Sequence, residues 1–254
     1  MNIIVVSDVH ANFQALQALD LKLKSMSFEK IVVLGDVLTY GVEVEATIEL
    51  LKRWDSDYDM VFIKGNHDQI YFDFQNNNNY QYKVFPEFID ESVVYTASLL
   101  NDKLEMQFTW QESYVYENIL FSHANAYRYG DWSYVNVEED FKANLHKIIE
   151  GGFRGAIFGH THRGKCYLED NMGEKFFVLP SCIDIPYDSS FIITNGSLGQ
   201  PRGSDYSVLH LSVTKKRITS KVIPIDFDVK KHRESISRSS LTPSTKERLL
   251  SFYS

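Results

Sequence analysis

The 254 residues are 44% hydrophobic, 14% aromatic and 24% charged, enough apolar matter for a large core and unlike the composition of a disordered chain. Lys and Arg number 26 against 34 Asp and Glu, a net charge of −8, which argues against a long nucleic acid held on a basic surface. No apolar run approaches the roughly 18 residues of a membrane span, the opening Met1-Asn2-Ile3-Ile4-Val5-Val6 has no basic n-region of a signal peptide, and Cys166 and Cys182 form neither a CxxC pair nor a disulfide framework, so both are expected as buried small residues in a reducing cytoplasm.

The first third alternates β-branched runs with helical spacing. Residues 3–6 (Ile-Ile-Val-Val), 31–34 (Ile-Val-Val-Leu) and 60–63 (Met-Val-Phe-Ile) are continuous apolar runs, the mark of strands covered on both faces. Phe13, Leu16, Leu19, Leu23 and Met26 predict a helix after the first run, with Asn12 as its N-cap. Val44, Ile48 and Leu51 predict a second helix. Residues 118–122 and 155–158 predict two further strands, joined through a helix that carries Val137, Phe141, Leu145 and Ile148. Beyond residue 163 the pattern changes to short strands at 175–179, 191–194, 206–213 and 217–225, with Lys215-Lys216 turning a hairpin between the last two. The fold class is mixed α+β and α/β: a βαβ front half and a β-rich second half, two sheets packed into one layered domain.

Residues 72–116 interrupt that rhythm. The asparagine run at 75–79 is a loop or a helix terminus, and Phe72, Phe74, Tyr80, Tyr82, Phe85, Phe88, Tyr95 and Trp110 surround it. They predict either a helical cap with its own small core or an aromatic wall over a site. The expected organisation is one domain over 1–228, with 72–116 as a cap insertion, and a polar tail over 229–254 ending in a short helix near 246–252.

Each apolar run of the sheets ends in metal-ligand residue types. These are Ser7-Asp8-Val9-His10, Gly35-Asp36, Gly65-Asn66-His67-Asp68, Ser122-His123 and Gly159-His160-Thr161-His162. Ligands of such sheets collect beyond the carboxyl ends of the strands, where the loops converge. Five of the eight histidines sit at these strand ends, leaving His146, His210 and His232 elsewhere. Asp8/His10 and His160/His162 are i, i+2 pairs, so in extended chain both members face one side about 6.6 Å apart, a separation that can straddle one ion or serve two neighbouring ions. Carboxylate, imidazole and amide donors without thiolate suit Mn²⁺, Fe or Zn²⁺ and disfavour a structural zinc site. Gly35, Gly65 and Gly159 beside the ligands let the backbone turn where a Cβ would crowd an ion.

The ordered set Asp8-x-His10, Gly35-Asp36, Gly65-Asn66-His67-Asp68, His123 and Gly159-His160-x-His162 resembles the calcineurin-like metallophosphoesterases, from residue 1 to about 225. The resemblance implies a four-layer α/β/β/α sandwich with a dinuclear metal site at the strand C-terminal edge. It implies one metal on Asp8, His10 and His162, the other on Asn66, His123 and His160, and Asp36 bridging both. It implies further that His67 faces the substrate phosphate and that Asp68 orients its ring. Two divalent ions, Mn²⁺ first and Fe, Zn²⁺ or Ni²⁺ as alternatives, would then lower the pKa of a shared water towards about 7 for in-line attack on phosphorus. Asp36-Val37-Leu38-Thr39-Tyr40-Gly41 lacks the arginine of the protein serine/threonine phosphatases, and Asp68 stands where they have glutamate. These features, with Gly196-Ser197-Leu198-Gly199-Gln200-Pro201-Arg202, look like a bacterial branch of small cytoplasmic phosphodiesterases and diadenosine-tetraphosphatase-like proteins, from which Asn195 departs by replacing a proline. Asn12, Arg128 and Arg202 are substrate-contact candidates, the arginines because guanidinium matches phosphate geometry. Tyr127, Tyr129, Trp132 and Tyr134 offer faces for a nucleobase. The expected partner is a small phosphoester or nucleotide, with no membrane and no long nucleic acid, although a basic patch of Arg128, Arg154, Arg163 and Arg202 would favour the latter. A metal-binding scaffold without turnover and a protein phosphatase are the competing readings.

Overall fold

Alternation along the first strand decides the layering. In the computed structural model, which describes residues 1–78, 86–203 and 205–253, Ile4 and Val6 of β1 (Asn2–Val6) face a helical layer, while Ile3 and Val5 face a second sheet. After β1 come α1 (Phe13–Leu23), β2 (Lys30–Val33), α2 (Val44–Asp57), β3 (Met60–Ile63), α3 (Asn66–Gln75), α4 (Glu87–Leu99), β4 (Trp110–Gln111), β5 (Ser113–Tyr116) and β6 (Ile119–Ser122). The second half holds α5 (Glu138–Glu150), β7 (Gly155–Phe158), β8 (Lys165–Asp170), β9 (Gly173–Val178), β10 (Cys182–Pro186), β11 (Ser190–Thr194), β12 (Ser207–Val213), β13 (Arg217–Pro224), α6 (Val229–Arg238) and α7 (Pro243–Leu250).

The strands form a seven-stranded sheet, β10-β13-β12-β1-β2-β3-β4, and a six-stranded sheet, β5-β6-β7-β11-β8-β9. Ile3, Val5, Val32, Leu34 and Ile63 of the first meet Ile119, Phe121, Ile157, Phe191 and Ile193 of the second. Leu16, Leu19, Leu51 and Trp54 cover the outer face of the first sheet, and Phe141, Leu145 and Ile148 of α5 cover that of the second. The result is a four-layer α/β/β/α sandwich. β1, β2 and β3 run parallel, as do β6, β7 and β11. Their carboxyl ends therefore open at one edge, where the marked loops emerge. Among the described residues, no helix is long and apolar enough to cross a membrane.

Several elements differ from the expectations. The described residues of the 72–116 segment form no separate core: Phe72, Phe74, Phe88, Tyr95 and Trp110 join the same apolar cluster as α1 and α2, and its C-terminal end supplies β4 and β5, one to each sheet. Tyr80, Tyr82 and Phe85 lie outside the described residues. The stretch read as a polar tail carries two helices, α6 and α7, and buries Ile236, Leu241, Leu249 and Tyr253 against the helical layer. Cys166 is buried as expected, but Cys182, on the outer strand β10, is exposed.

Glu43 ties α6 to the body of the molecule. Its carboxylate accepts from Gln14 Nε2 at 2.6 Å, His232 Nδ1 at 2.9 Å and Ser235 Oγ at 3.2 Å. Burial pushes this carboxyl up, but the donors from His232 and Gln14 outweigh it and hold it below its ordinary value of 4.5. A depressed carboxylate stabilises above its unfolded pKa, and the contribution is lost as pH falls through the folded value. Glu43→Ala is therefore expected to lower stability by about 2 kcal/mol near neutral pH, with the gap from wild type closing below pH ~4.5. Urea unfolding of both proteins at pH 7 and pH 4 checks it; an equal gap at both would assign the loss to packing.

Candidate metal centre

The loops at the shared strand edge bring all seven expected ligand residues together, each at most 6% exposed. The donor atoms of Asp8, His10 and His162 lie within 4.8 Å of one another, as do those of Asp36, His123 and His160. Asn66, the first residue of α3, joins the second group through Oδ1, 3.0 Å from His123 Nε2. Asp36 Oδ2 lies between the groups, 3.4 Å from His123 Nε2 and 4.0 Å from His10 Nε2.

The backbone is bent to achieve this. Asp8, His10, Asp36, His160 and His162 all have left-handed φ, between 49° and 62°, a conformation that costs a non-glycine residue on the order of 1–2 kcal/mol. Such strain persists where the surrounding structure holds it, and it gathers at functional sites. Gly35, at φ 97°, passes so close to the next loop that a Cβ there would lie 2.5 Å from the Gly65 nitrogen. A Cβ on Gly65 would run into the carboxylate of Asp36.

The imidazoles are set for a cation. Each gives its outer N–H to a backbone carbonyl: His10 Nδ1 to Leu38 at 3.1 Å, His123 Nδ1 to Leu34 at 2.7 Å, His162 Nδ1 to Gln200 at 2.5 Å and His160 Nε2 to Trp132 at 3.0 Å. That fixes the tautomer and turns the other nitrogen's lone pair inward. The inward nitrogens of His10 and His162 are 3.2 Å apart, and those of His123 and His160 also 3.2 Å. Facing lone pairs repel unless a positive charge lies between them. Burial lowers His123, but the facing Asp36 outweighs it and pulls this histidine up to about 9, so that a cation taken there displaces a proton. At His160, burial and the neighbouring His123 push the ring down to about 3. Asp8 Oδ1, 3.2 Å from His162 Nε2, is buried and accepts no hydrogen bond. The residues fit two divalent cations sharing Asp36.

The flanking residues divide. His67 is 6% exposed, packs edge-on to His10 and has no hydrogen-bond partner for Nδ1. Asp68 does not orient its ring. Its carboxylate accepts instead from the backbone N–H groups of Asp36 (2.7 Å), Gly65 (2.8 Å) and Val37 (3.1 Å), fixing the loop that carries Asp36. Asn12 is likewise spent on the fold: Oδ1 caps α1 at Ala15 N, and Nδ2 donates to the Gly199 carbonyl at 3.0 Å. Arg202, half-buried, faces the hydroxyls of Tyr40 and Tyr134, and among the described residues no ion pair holds it. Arg128 is exposed and lines a neighbouring 250 Å³ cavity with Lys64, His123, Tyr129 and Trp132. Arg154 is not part of the expected basic patch: it precedes β7 at the opposite edge and stacks on Tyr187. Tyr134 lies flat on His160, with centroids 4.2 Å apart, and Trp132 stands edge-on to His123. The residues missed by sequence reasoning are Tyr40, Leu34, Leu38 and Gln200, the last three because a backbone carbonyl carries no residue signature.

Over 97% of its length the chain is 25% identical to the uncharacterized protein MJ0912 of Methanocaldococcus jannaschii, covering 96% of that protein. A metallophosphoesterase from Sphaerobacter thermophilus has the same fold, with a TM-score of 0.73 and 20% identity over 99% of both chains. So does the hypothetical protein PH1004 from Pyrococcus horikoshii OT3, with a TM-score of 0.75 and 15% identity over 98% of this chain and 97% of that one. The model of the calcineurin-like phosphoesterase superfamily domain matches residues 1–216, the stretch that contains every residue of the two donor groups. The chain belongs to the calcineurin-like phosphoesterase superfamily.

Proposed function

We propose that the protein hydrolyses small phosphoesters, a phosphodiester or a nucleotide, with two divalent cations, Mn²⁺ first and Fe, Zn²⁺ or Ni²⁺ as alternatives. The observation that carries the reading is the pair of inward-facing donor groups sharing Asp36, with His67 beside them. Asp8, His10 and His162 would hold one ion, Asn66, His123 and His160 the other, and Asp36 both. Bound cations supply Lewis acidity towards the phosphoryl group and a deprotonated water near neutral pH. Arg202, a half-buried guanidinium unclaimed by any carboxylate, would donate to phosphate oxygens. His67 would give a proton to the leaving oxygen, an effect typically of 10²–10⁴-fold.

A protein phosphatase is disfavoured because Val37 to Gly41 holds no arginine and Asp68 stands in place of glutamate. A scaffold without turnover has no need of His67 or of an arginine, Arg202, that no carboxylate neutralises beside the donor groups. A cytoplasmic setting goes with this reading, since Cys166 and Cys182 are unpaired. The test is elemental analysis followed by a metal-reconstituted screen of aryl mono- and diesters, cyclic nucleotides, dinucleoside polyphosphates and phosphopeptides, read as kcat/KM. Diesters or nucleotides are expected to lead. Phosphopeptides ranking above them would make it a protein phosphatase, and no turnover with several metals in folded protein would leave the scaffold.

A further inference from the structure

The family match ends at residue 216, yet the chain continues through α6 and α7 into a last turn, Ser251–Tyr253. That turn is firmly seated. Arg233 Nη1 of α6 donates to the carbonyls of Leu250 and Tyr253, both at 2.9 Å, satisfying groups that the end of α7 would otherwise orphan. The buried Tyr253 ring packs edge-on against His232, 4.6 Å between centroids. The neighbouring Phe252 is thereby presented to the edge of the metal centre, where its ring meets Tyr40 at 5.8 Å and Phe88 at 6.2 Å. The Arg248 guanidinium lies over both phenylalanines, 4.8 Å from Phe252 and 5.4 Å from Phe88.

Tyr40 is the next link inward. It is 6% exposed and left-handed, with φ 66°, a strained state for an aromatic residue. The strain places its ring edge-on to two site histidines, 4.7 Å from His10 and 5.0 Å from His67, while its hydroxyl faces Arg202. His67 has no hydrogen-bond partner at Nδ1 to fix its ring, and Asp68 is engaged elsewhere, so packing must do so. His10 meets it from one side and Tyr40 from another.

We propose that Tyr40 is a positioning residue for His67 and Arg202, and that the C-terminal turn, through Phe252, holds Tyr40 in place. The role in turnover rests on the phosphoesterase reading; the packing does not. Residues 229–253 are then a working part of the site rather than an appendage. Losing Phe252 should be felt at both rings that Tyr40 packs against, His67 and His10. His10 keeps its hydrogen bond to the Leu38 carbonyl, so the metal should stay while the His67 ring, which has no such bond, moves.

The zinc-loaded full chain provides the test, because zinc is diamagnetic and the histidine rings can be followed by ¹H–¹⁵N spectroscopy. Phe252→Ala is expected to move the His67 ring resonances, leave those of His146 unmoved and retain the wild-type zinc content. It should lower kcat for an aryl phosphodiester by about 10- to 100-fold, the range found when a supporting contact behind a functional group is lost. Phe252→Tyr, which keeps the ring, should restore kcat. Tyr40→Phe keeps the packing but loses the hydroxyl beside Arg202, so its loss should appear mainly in KM. Tyr40→Leu serves as a second probe of the ring. His67 resonances unmoved in both Phe252→Ala and Tyr40→Leu would overturn the proposal, as would zinc lost in step with activity. A wild-type chain that turns over no ester would sink the phosphoesterase reading and the kinetic part of this one, leaving the resonances to decide the packing.

Discussion

Asp36→Asn should strip metal from both groups and lower kcat/KM by about 10³-fold or more, at least what removal of one preorganised charge-stabilising group costs. Oδ1 accepts from His67 N at 2.8 Å, a bond that asparagine can keep, so the loop and the fold should survive. The loss falls on Oδ2. There an amide NH₂ would face His123 Nε2 and His10 Nε2 and present hydrogens where cations need a shared anion. Burial pushes Asp36 up, but the facing His123 and His67 outweigh it and hold the carboxyl well below the usual range, so the native side chain is charged and the substitution removes a full charge. Elemental analysis gives metal per chain, and thermal denaturation of the metal-free proteins shows whether the fold is intact. His146→Ala and His210→Ala, on α5 and β12, should keep their metal. Two metals per chain in Asp36→Asn would refute the bridging role.

Much of this was legible because burial on both faces writes itself as uninterrupted apolar runs. The runs at 3–6, 31–34 and 60–63 became β1, β2 and β3, and the β12–β13 hairpin turns at Lys215-Lys216. What escaped had a mixed stripe. The buried face of α4 is Ile89, Ser92, Val93 and Thr96, so two polar residues break the hydrophobic period that marks a helix. In α6 only His232 and Ile236 are buried, and a helix held by hydrogen bonds to Glu43 and by Arg233 looks like a polar tail in one dimension. β10 is an outer strand with alternating exposure, which is how Cys182 came to be exposed where burial was expected.

The gathering of the candidate donors was legible because each follows the end of a strand, and parallel strands deliver their ends to one edge. The i, i+2 argument was only part of the story. Extended geometry would space Asp8 and His10 along one face, whereas both residues are left-handed and their chain is curled, so the convergence comes from strained loops. The role of Asp68, and the substrate contact offered for Asn12 beside its correctly read helix cap, went astray for a common reason. A polar residue beside a ligand motif suggests substrate or catalysis, yet buried backbone N–H groups in a tight loop need acceptors, and these two side chains supply an acceptor and a cap.

That division between His67 and Asp68 yields a further expected result. His67→Ala should keep its metal and fold and lose about 10²–10⁴-fold in rate with poor leaving groups, the usual worth of a positioned proton donor. With an activated aryl ester the loss should shrink, since a good leaving group departs without a proton. Asp68→Asn should behave differently. Its amide oxygen can keep the Asp36 and Gly65 N–H groups, which share one carboxylate oxygen, but its NH₂ then faces the Val37 N–H, and an orphaned buried donor costs about 1–3 kcal/mol. The loop carrying Asp36 should loosen, the melting temperature should fall, metal should be lost, and aryl and alkyl esters should slow alike. Measuring kcat/KM against leaving-group pKa for both variants, with metal content and melting temperature alongside, separates them. Equal slowing of all esters by His67→Ala would remove the proton-donor role, and an Asp68→Asn protein with full metal, unchanged stability and a steep leaving-group dependence would return Asp68 to the chemistry.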